Sequence, residues 1–285
     1  MAIISQYHSN FVKFTDVAVQ NSSIILCKML TEAYNKIPTH NRGQFEIDDI
    51  IAFMKLVHVP YTLSWEGGWS DNPADNGGAT MRGVTLGTFK HVFDQIFSNK
   101  TPDMTVAYNA ISHIPWKGDV TASKDFLYTL LSSRDIAALF IAYYFSSSST
   151  AGLQIATYDP YLAFLIVDKT WMSGSYAWTN SVPNGNIYSA AKKFGYTGPV
   201  KKYVCESFLT WIRQLSISQR ASFAAELLVN YTNHVNALAA KSASQRQFIK
   251  GWLSRIVGTS NNRHSMSTVL TKWTTLLKNE SNNVG

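Results

Sequence analysis

Apolar residues recur at helical spacing through most of this 285-residue chain. The first clear case lies between residues 45 and 57, where apolar side chains repeat every three or four positions, as in an amphipathic helix. Further helical segments are predicted at 24–37, 61–66, 84–97, 136–145, 161–171, 189–194, 204–215, 220–240 and 245–256. The pattern therefore indicates a mainly α-helical protein.

The helical pattern stops between residues 67 and 83, which are rich in glycine and polar residues. Gly67-Gly68 is expected to end the preceding helix. Asn76-Gly77 is a turn signal, so a short β-hairpin or an irregular loop is predicted next to that helix.

Composition and charge narrow the class of protein. Hydrophobic residues make up 46% and charged residues 15% of the chain, which is typical of an ordered globular protein. Residues 1–180 contain 12 Lys/Arg and 15 Asp/Glu, whereas residues 181–285 contain 13 Lys/Arg and 3 Asp/Glu. The basic C-terminal third suits a nucleic acid, an anionic lipid surface or a bacterial cell wall, or is simply a solvated surface.

Several enzyme chemistries are not expected. The 7 histidines are scattered, and none stand at the spacing of metal ligands. Gly77-Gly78-Ala79-Thr80 lacks the Lys-Ser/Thr of a phosphate-binding loop, and Ser173-Gly174-Ser175 lacks the flanking residues of a nucleophile elbow. No metal and no cofactor is predicted.

Glu66 is the strongest candidate for catalysis. A carboxyl group at the C-terminal end of a helix meets the negative end of the helix dipole, which favours its protonated form. Trp65 and Trp69 would shield it from water, so it is suited to act as a general acid. Asp75, nine residues later, would remain ionised, and two such carboxyl groups are what glycoside hydrolysis requires. The alternative is an ordinary glycine-rich turn, with Asp75 organising the loop.

The run EGGWSDNPADNGGATMRGVTLGTF closely resembles the signature of glycoside hydrolase family 108. In that family Glu-Gly-Gly precedes a D-P-A-D-x-G-G-A-T segment, and Asn72 stands here where the first aspartate is usual. The resemblance implies a lysozyme-like helical fold and a muramidase that cleaves the bond from N-acetylmuramic acid to N-acetylglucosamine in peptidoglycan. It also implies that Glu66 is the catalytic residue.

Two later segments extend the resemblance. Residues 168–174 are similar to a D-x-x-x-N-S-G segment of the family, with Met172 where asparagine is usual. Residues 248–255 resemble its terminal F-x-x-G-W-x-x-R. They imply a helical peptidoglycan-binding module. The expected organisation is an N-terminal extension of unknown role (1–44), a catalytic region (45–150) and a peptidoglycan-binding-like region packed against it (151–285).

The remaining site residues are assigned by weaker arguments. The Glu66–Asp75 spacing is similar to that of phage-type lysozymes, which implies that Asp75 activates water with help from Thr80. The predicted substrate-binding residues are aromatic side chains that stack on sugars and glycines that allow close approach of the polymer. These are Trp65, Trp69, Tyr61, Gly67 and Gly68.

Three functions remain open from the sequence. A muramidase is favoured, with peptidoglycan glycan strands as its partner and no nucleic acid. A lytic transglycosylase needs only one catalytic acid, because the muramic 6-hydroxyl attacks within the substrate. The third hypothesis is a protein without catalytic activity, either a structural component of a phage or a cell-wall-binding protein.

The start of the chain bears on where the protein acts. Its first residues lack the basic and apolar regions of a secretion signal, and no apolar run approaches about 18 residues. We expect a phage-encoded lysin that is made in the host cytoplasm, and either acts on the cell wall as an endolysin or is carried in the virion. Residues 1–44 are candidates for contact with virion components.

Overall fold

Helices dominate the fold, as the sequence predicts. The structure, a computed structural model, describes residues 2–71, 79–97, 102, 105–106, 109, 120–258 and 264–272. In chain order the α-helices include α1 (Ala2–Asn35), α2 (Ile47–Phe53), α3 (Val59–Trp65), α4 (Leu86–Ile96), α5 (Val120–Leu131), α6 (Arg134–Ser146), α7 (Gly152–Ala156), α8 (Pro160–Ser173), α9 (Tyr176–Thr179), α10 (Ile187–Lys193), α11 (Glu206–Gln214), α12 (Ile217–Lys241), α13 (Ala243–Arg246) and α14 (Ile249–Ile256). Residues 266–272 are helical as well. A 3₁₀ turn at Thr39–Asn41 precedes α2, and a π-helical turn at Met54–His58 leads into α3. None of the described helices is long and apolar enough to cross a membrane.

A small antiparallel sheet follows α3, which confirms the short β element predicted beside that helix. Its strands are β1 (Trp69–Ser70), β2 (Thr80–Met81) and β3 (Val84–Thr85), in the order β1-β2-β3. The sequence places Val84 and Thr85 in a helix, and this detail is wrong. The Thr85 side chain accepts the backbone N–H of Thr88 at 3.0 Å, so Thr85 caps α4 and the helix begins one residue later.

The chain divides into two compact units. Unit 1 comprises Met1–Ala33 and Met54–Tyr143, and unit 2 comprises Tyr34–Phe53 and Tyr144–Gly285. These bounds differ from the three regions expected from the sequence (1–44, 45–150 and 151–285), whose separate roles stay predictions.

An aromatic cluster forms part of the core of unit 1. The ring centroid of Phe14 in α1 lies 5.6 Å from that of Phe93 in α4 and 5.3 Å from that of Phe97, which directly follows α4. Phe89 stacks on Phe140 of α6 at 5.3 Å. Among the residues of α1 whose side chains the structure describes, the buried ones recur on one face because they are spaced by multiples of four: Phe14, Ala18, Leu26, Leu30 and Tyr34. Up to Ala33 the N-terminal helix is therefore an integral part of unit 1.

Helix α8 lies in the core of unit 2, since Pro160–Thr170 are all buried. Pro160 occupies the first turn, where its missing N–H is tolerated, and the Asp159 carboxylate accepts the N–H of Leu162 at 2.9 Å. At Gly152 of α7, an added Cβ would lie 2.4 Å from Cγ2 of Val167. Glycine is thus needed there for close packing between α7 and α8.

Candidate active site

Glu66 directly follows the last residue of α3. Its backbone N–H donates to the carbonyl of Thr62 at 3.0 Å, and its backbone is extended, with φ −79° and ψ 116°. The residue is half-buried. The carboxyl group is therefore attached at the C-terminal end of a helix, where the sequence places it.

The two glycines after Glu66 do not end the helix in the predicted way. A glycine that terminates a helix usually adopts a positive φ, but neither Gly67 nor Gly68 does so. Both are exposed, and a Cβ added at either position would meet no other described residue within 4 Å. Within the described part of the chain, therefore, neither a positive φ nor close packing requires glycine at these two positions.

The register of the sheet separates two of the predicted site residues. Trp69 lies opposite Met81, and Met81 lies opposite Val84, so these three side chains share one face. Met81 and Val84 are buried. Thr80 lies opposite Ser70 and Thr85 on the other face. Trp69 and Thr80 therefore project from opposite faces of the sheet and cannot line one surface of it.

A two-residue turn joins β2 to β3. Arg82 and Gly83 both have positive φ, 50° and 76°, as a type I′ hairpin requires. The Arg82 guanidinium donates to the carbonyls of Leu131 (Nε, 2.9 Å) and Ser132 (Nη2, 3.0 Å) at the end of α5. These bonds fix the hairpin to α5. This turn is not evident from the sequence, because Arg-Gly is a weaker turn signal than Asn-Gly.

The predicted stacking residues differ in exposure. Trp65 and Trp69 are half-buried and retain ring surface. Tyr61 is only 6% exposed, so its ring packs in the core of unit 1. Its assignment as a sugar-stacking residue is therefore corrected, since a buried ring offers almost no face to a sugar.

Asp75 and the Asn76-Gly77 turn signal lie outside the described residues. The structure describes the chain up to Asp71, the residue after β1, and again from Ala79, the residue before β2. The roles assigned to Asp75 stay predictions.

Comparison with known families indicates the general class of enzyme. Residues 59–174 match the family model Glycosyl hydrolase 108. The chain contains a glycosyl hydrolase 108 domain. This finding supports a glycoside hydrolase in general terms and confirms the resemblance of the segment that contains Glu66. Residues 248–255 lie beyond the match, so the peptidoglycan-binding module stays a prediction. No curated protein and no solved structure matches the chain.

A buried ion pair joins the two later segments that resemble the family. Asp168 is in the matched residues of the glycosyl hydrolase 108 domain, and Arg255 lies beyond them; both belong to unit 2. The Arg255 guanidinium donates to both Asp168 oxygens, at 3.1 Å from Nε and 2.7 Å from Nη2. The Asp168 side chain is fully buried and that of Arg255 is 8% exposed. The aspartate and arginine of these segments thus hold α8 and α14 together.

Lys169, the neighbour of Asp168, is also fully buried. Its Nζ lies 5.2 Å from the ring centroid of Tyr231 and has no hydrogen-bond partner among the described residues. Burial, reinforced by Arg255 and opposed by Asp168, lowers the pKa of Lys169 to about 7. Burial and then Lys169 lower the pKa of His234 to about 3, so His234 is neutral near pH 7.

Lys169 is expected to make unit 2 less stable near neutral pH than at alkaline pH. Between its folded pKa of about 7 and its ordinary value of 10.5, the unfolded chain binds a proton that the folded chain lacks. In this range Lys169 makes the free energy of unfolding rise by up to about 1.4 kcal/mol for each pH unit. Below about pH 7 both states are protonated and its contribution is constant.

Lys169→Met keeps the volume and removes this contribution. Denaturant unfolding from pH 6 to 10.5 should show the Lys169→Met variant more stable than wild type near pH 7, with the difference closing as pH rises. A constant difference across this range would contradict a buried, easily deprotonated lysine.

Proposed function

We propose that this protein hydrolyses the bond from N-acetylmuramic acid to N-acetylglucosamine in peptidoglycan, with Glu66 as the general acid. The observation that carries the proposal is the position of Glu66. It is half-buried at the end of α3, inside the glycosyl hydrolase 108 match, and two exposed glycines follow it. Glu66 would protonate the leaving glycosidic oxygen as the bond breaks.

Asp75 is proposed to supply the second function, by orienting water or stabilising the oxocarbenium-like transition state, with Thr80 assisting. The family match includes both residues. This role requires an ionised carboxylate near the reacting carbon.

Product analysis tests this mechanism. Purified peptidoglycan is digested with wild type and with Asp75→Asn, and the fragments are identified by mass spectrometry. Reducing muramic ends are expected from wild type, and far fewer from Asp75→Asn. Anhydro-muramic ends would overturn hydrolysis in favour of transglycosylation. Retention on peptidoglycan without any cleavage over long incubation would favour a wall-binding protein with no activity.

The basic C-terminal third is proposed to hold the enzyme on the anionic cell wall. Residues 181–285 carry 13 Lys/Arg against 3 Asp/Glu, and Lys192, Lys201 and Lys202 are exposed. Attraction of this kind weakens as salt rises. Retention on purified peptidoglycan that is equal at low and high salt would argue against it.

The protein is proposed to be a phage lysin, either released in the host or carried in the virion through residues 1–44. In α1 the buried Phe14 packs on Phe93 and Phe97, so a virion partner would meet exposed residues such as Ile24, which is 67% exposed. Detection in purified phage particles tests the virion form, and absence from them would favour release as an endolysin.

Alanine at position 67 or 68 should lower the activity on the glycan without lowering the thermal stability of the protein. Because the added methyl group meets none of the described residues within 4 Å, Gly67→Ala and Gly68→Ala should keep the wild-type Tm within a few degrees. If the glycan packs against this backbone, the methyl group displaces it, and kcat/KM should fall about tenfold or more. Turbidity assays and thermal melts measure the two effects.

Gly152→Ala is the matched contrast, since its Cβ would lie 2.4 Å from Val167 and 2.8 Å from the Phe145 carbonyl oxygen. It should lower the Tm, whereas the variants at 67 and 68 should not. Unchanged activity in both Gly67→Ala and Gly68→Ala would show that no substrate contacts this backbone.

A further inference from the structure

The outward face of the sheet carries a row of three hydroxyl groups. From the register and side-chain environment we infer that two of them, on Ser70 and Thr80, form a contact for hydroxyl or acetamido groups of the glycan. Ser70 thereby becomes a substrate-positioning residue beside Glu66. The inference rests on the proposed function, because the ligand is taken to be a peptidoglycan glycan.

The register places these hydroxyls together. Ser70 pairs with Thr80, and Thr80 pairs with Thr85, across three adjacent strands. Directly opposed residues project from the same face, with Cβ atoms about 4.5–5.5 Å apart. Ser70 is exposed, and Thr80 and Thr85 are half-buried, so this is the face open to solvent.

The three hydroxyls differ in their hydrogen bonds. The Thr85 hydroxyl is already hydrogen-bonded within the protein, since its Oγ1 accepts the N–H of Thr88 and lies 3.0 Å from the Thr88 hydroxyl. Within the described part of the chain, neither the Ser70 nor the Thr80 hydroxyl bonds to another protein group. Each therefore retains one donor and two acceptor positions for a ligand.

The sheet holds these two side chains in fixed positions. On its opposite face Met81 is 2% and Val84 0% exposed, which prevents a one-residue shift that would exchange the faces. The bonds from Arg82 to the end of α5 anchor the adjoining turn. A hydroxyl pair on so constrained a support binds with little loss of side-chain freedom.

Chain length keeps the pair near the candidate acid. Ser70 follows Glu66 by four residues, so their Cα atoms are at most about 14 Å apart. A glycan that presents its scissile bond to Glu66 extends over several sugars, and the inference requires that one of these reaches the hydroxyl pair. The chemistry fits a neutral sugar, because two hydroxyls can both donate to and accept from its substituents.

Binding to a non-cleaving parent tests the pair apart from catalysis. A soluble tetrasaccharide of alternating N-acetylglucosamine and N-acetylmuramic acid is titrated by calorimetry into Glu66→Gln. The same titration is made after adding Ser70→Ala, Thr80→Val or Ser132→Ala. The last is the matched control, since Ser132 is exposed in unit 1 and, among the residues that the structure describes, its hydroxyl bonds only to the Thr129 carbonyl, at 3.2 Å.

Loss of one neutral hydrogen bond corresponds to about a 2- to 13-fold weaker Kd, so Ser70→Ala and Thr80→Val should each fall in this range. Ser132→Ala should leave Kd unchanged. In the catalytically intact protein, Ser70→Ala should raise KM by a similar factor with kcat within about twofold.

Each outcome of these titrations supports or overturns the pair. Equal Kd for the parent and for Ser70→Ala, or no tetrasaccharide binding by the parent, overturns the inference. If wild type cleaves peptidoglycan while neither variant changes Kd or KM, the hydroxyl pair fails and hydrolysis stands. If wild type cleaves nothing while Kd still depends on Ser70 and Thr80, hydrolysis fails and the contact stands.

Discussion

Glu66→Gln is expected to lower kcat on peptidoglycan by about 10²–10⁴-fold, the range that a positioned general acid contributes. Glutamine has nearly the same shape, and Glu66 is only half-buried at the end of α3, so folding should be unaffected. An amide cannot deliver a proton to the leaving oxygen, which is the step assigned to this residue. The rate of release of reducing ends measures the effect.

Two further variants sharpen this test. Glu66→Asp keeps the acid but withdraws it by one methylene, and a displacement of about 1 Å at the reacting atoms costs up to about 100-fold. Glu32→Gln is the matched control, because Glu32 is an exposed acid of unit 1 whose pair with Lys28, at 3.8 Å, contributes little. If Glu66→Gln cleared cell walls as fast as wild type, the assignment of the acid would be refuted.

The end of α3 could be predicted because its signals are local. Apolar spacing, the glycines and the tryptophans all lie within a few residues of Glu66. The predicted cause was wrong, because the helix ends at an extended Glu66 and not at a left-handed glycine. A pair of glycines predicts that a helix stops. It does not show whether glycine is needed for a positive φ or for close approach of a substrate.

The surface around Glu66 could not be predicted because it depends on strand register. Trp69 and Thr80 both appeared as site residues in the sequence, yet pairing with Met81 and Ser70 places them on opposite faces. In strands of two residues, alternation is too short to show which face is buried. Tyr61 likewise gave no sign of its burial, since an aromatic residue in a helix suits either a core or a sugar-binding surface.

The family resemblance identified two segments in the core of unit 2, but it did not predict how their side chains pair. The Asp168 and Arg255 segments were both identified from the sequence, but 87 residues separate the two side chains, and no local signal indicates that they pair. The buried Lys169 beside them was also missed, because a lysine in an apolar segment usually reaches solvent.

Asp168→Ala is expected to lower the free energy of unfolding of unit 2 by about 3–5 kcal/mol, because it leaves Arg255 buried without its carboxylate. Arg255→Ala should lower the free energy of unfolding by a smaller amount. Arg255 lowers the pKa of Lys169 and Asp168 raises it, so loss of the arginine favours a protonated Lys169 that replaces it as counter-ion. Denaturant unfolding at pH 7 should therefore rank wild type above Arg255→Ala and Arg255→Ala above Asp168→Ala.

The double variant Asp168→Leu/Arg255→Met distinguishes a paired charge from simple loss of packing. Replacing both partners by apolar residues of similar size removes the buried charges together, and this is often neutral or stabilising. We expect it to recover most of the stability lost in Asp168→Ala, whereas Glu32→Gln at the exposed pair should change stability by less than about 1 kcal/mol. If the double variant were as unstable as Asp168→Ala, packing volume and not charge pairing would hold α8 against α14. If Arg255→Ala were the less stable single variant, Lys169 would not serve as the substitute cation.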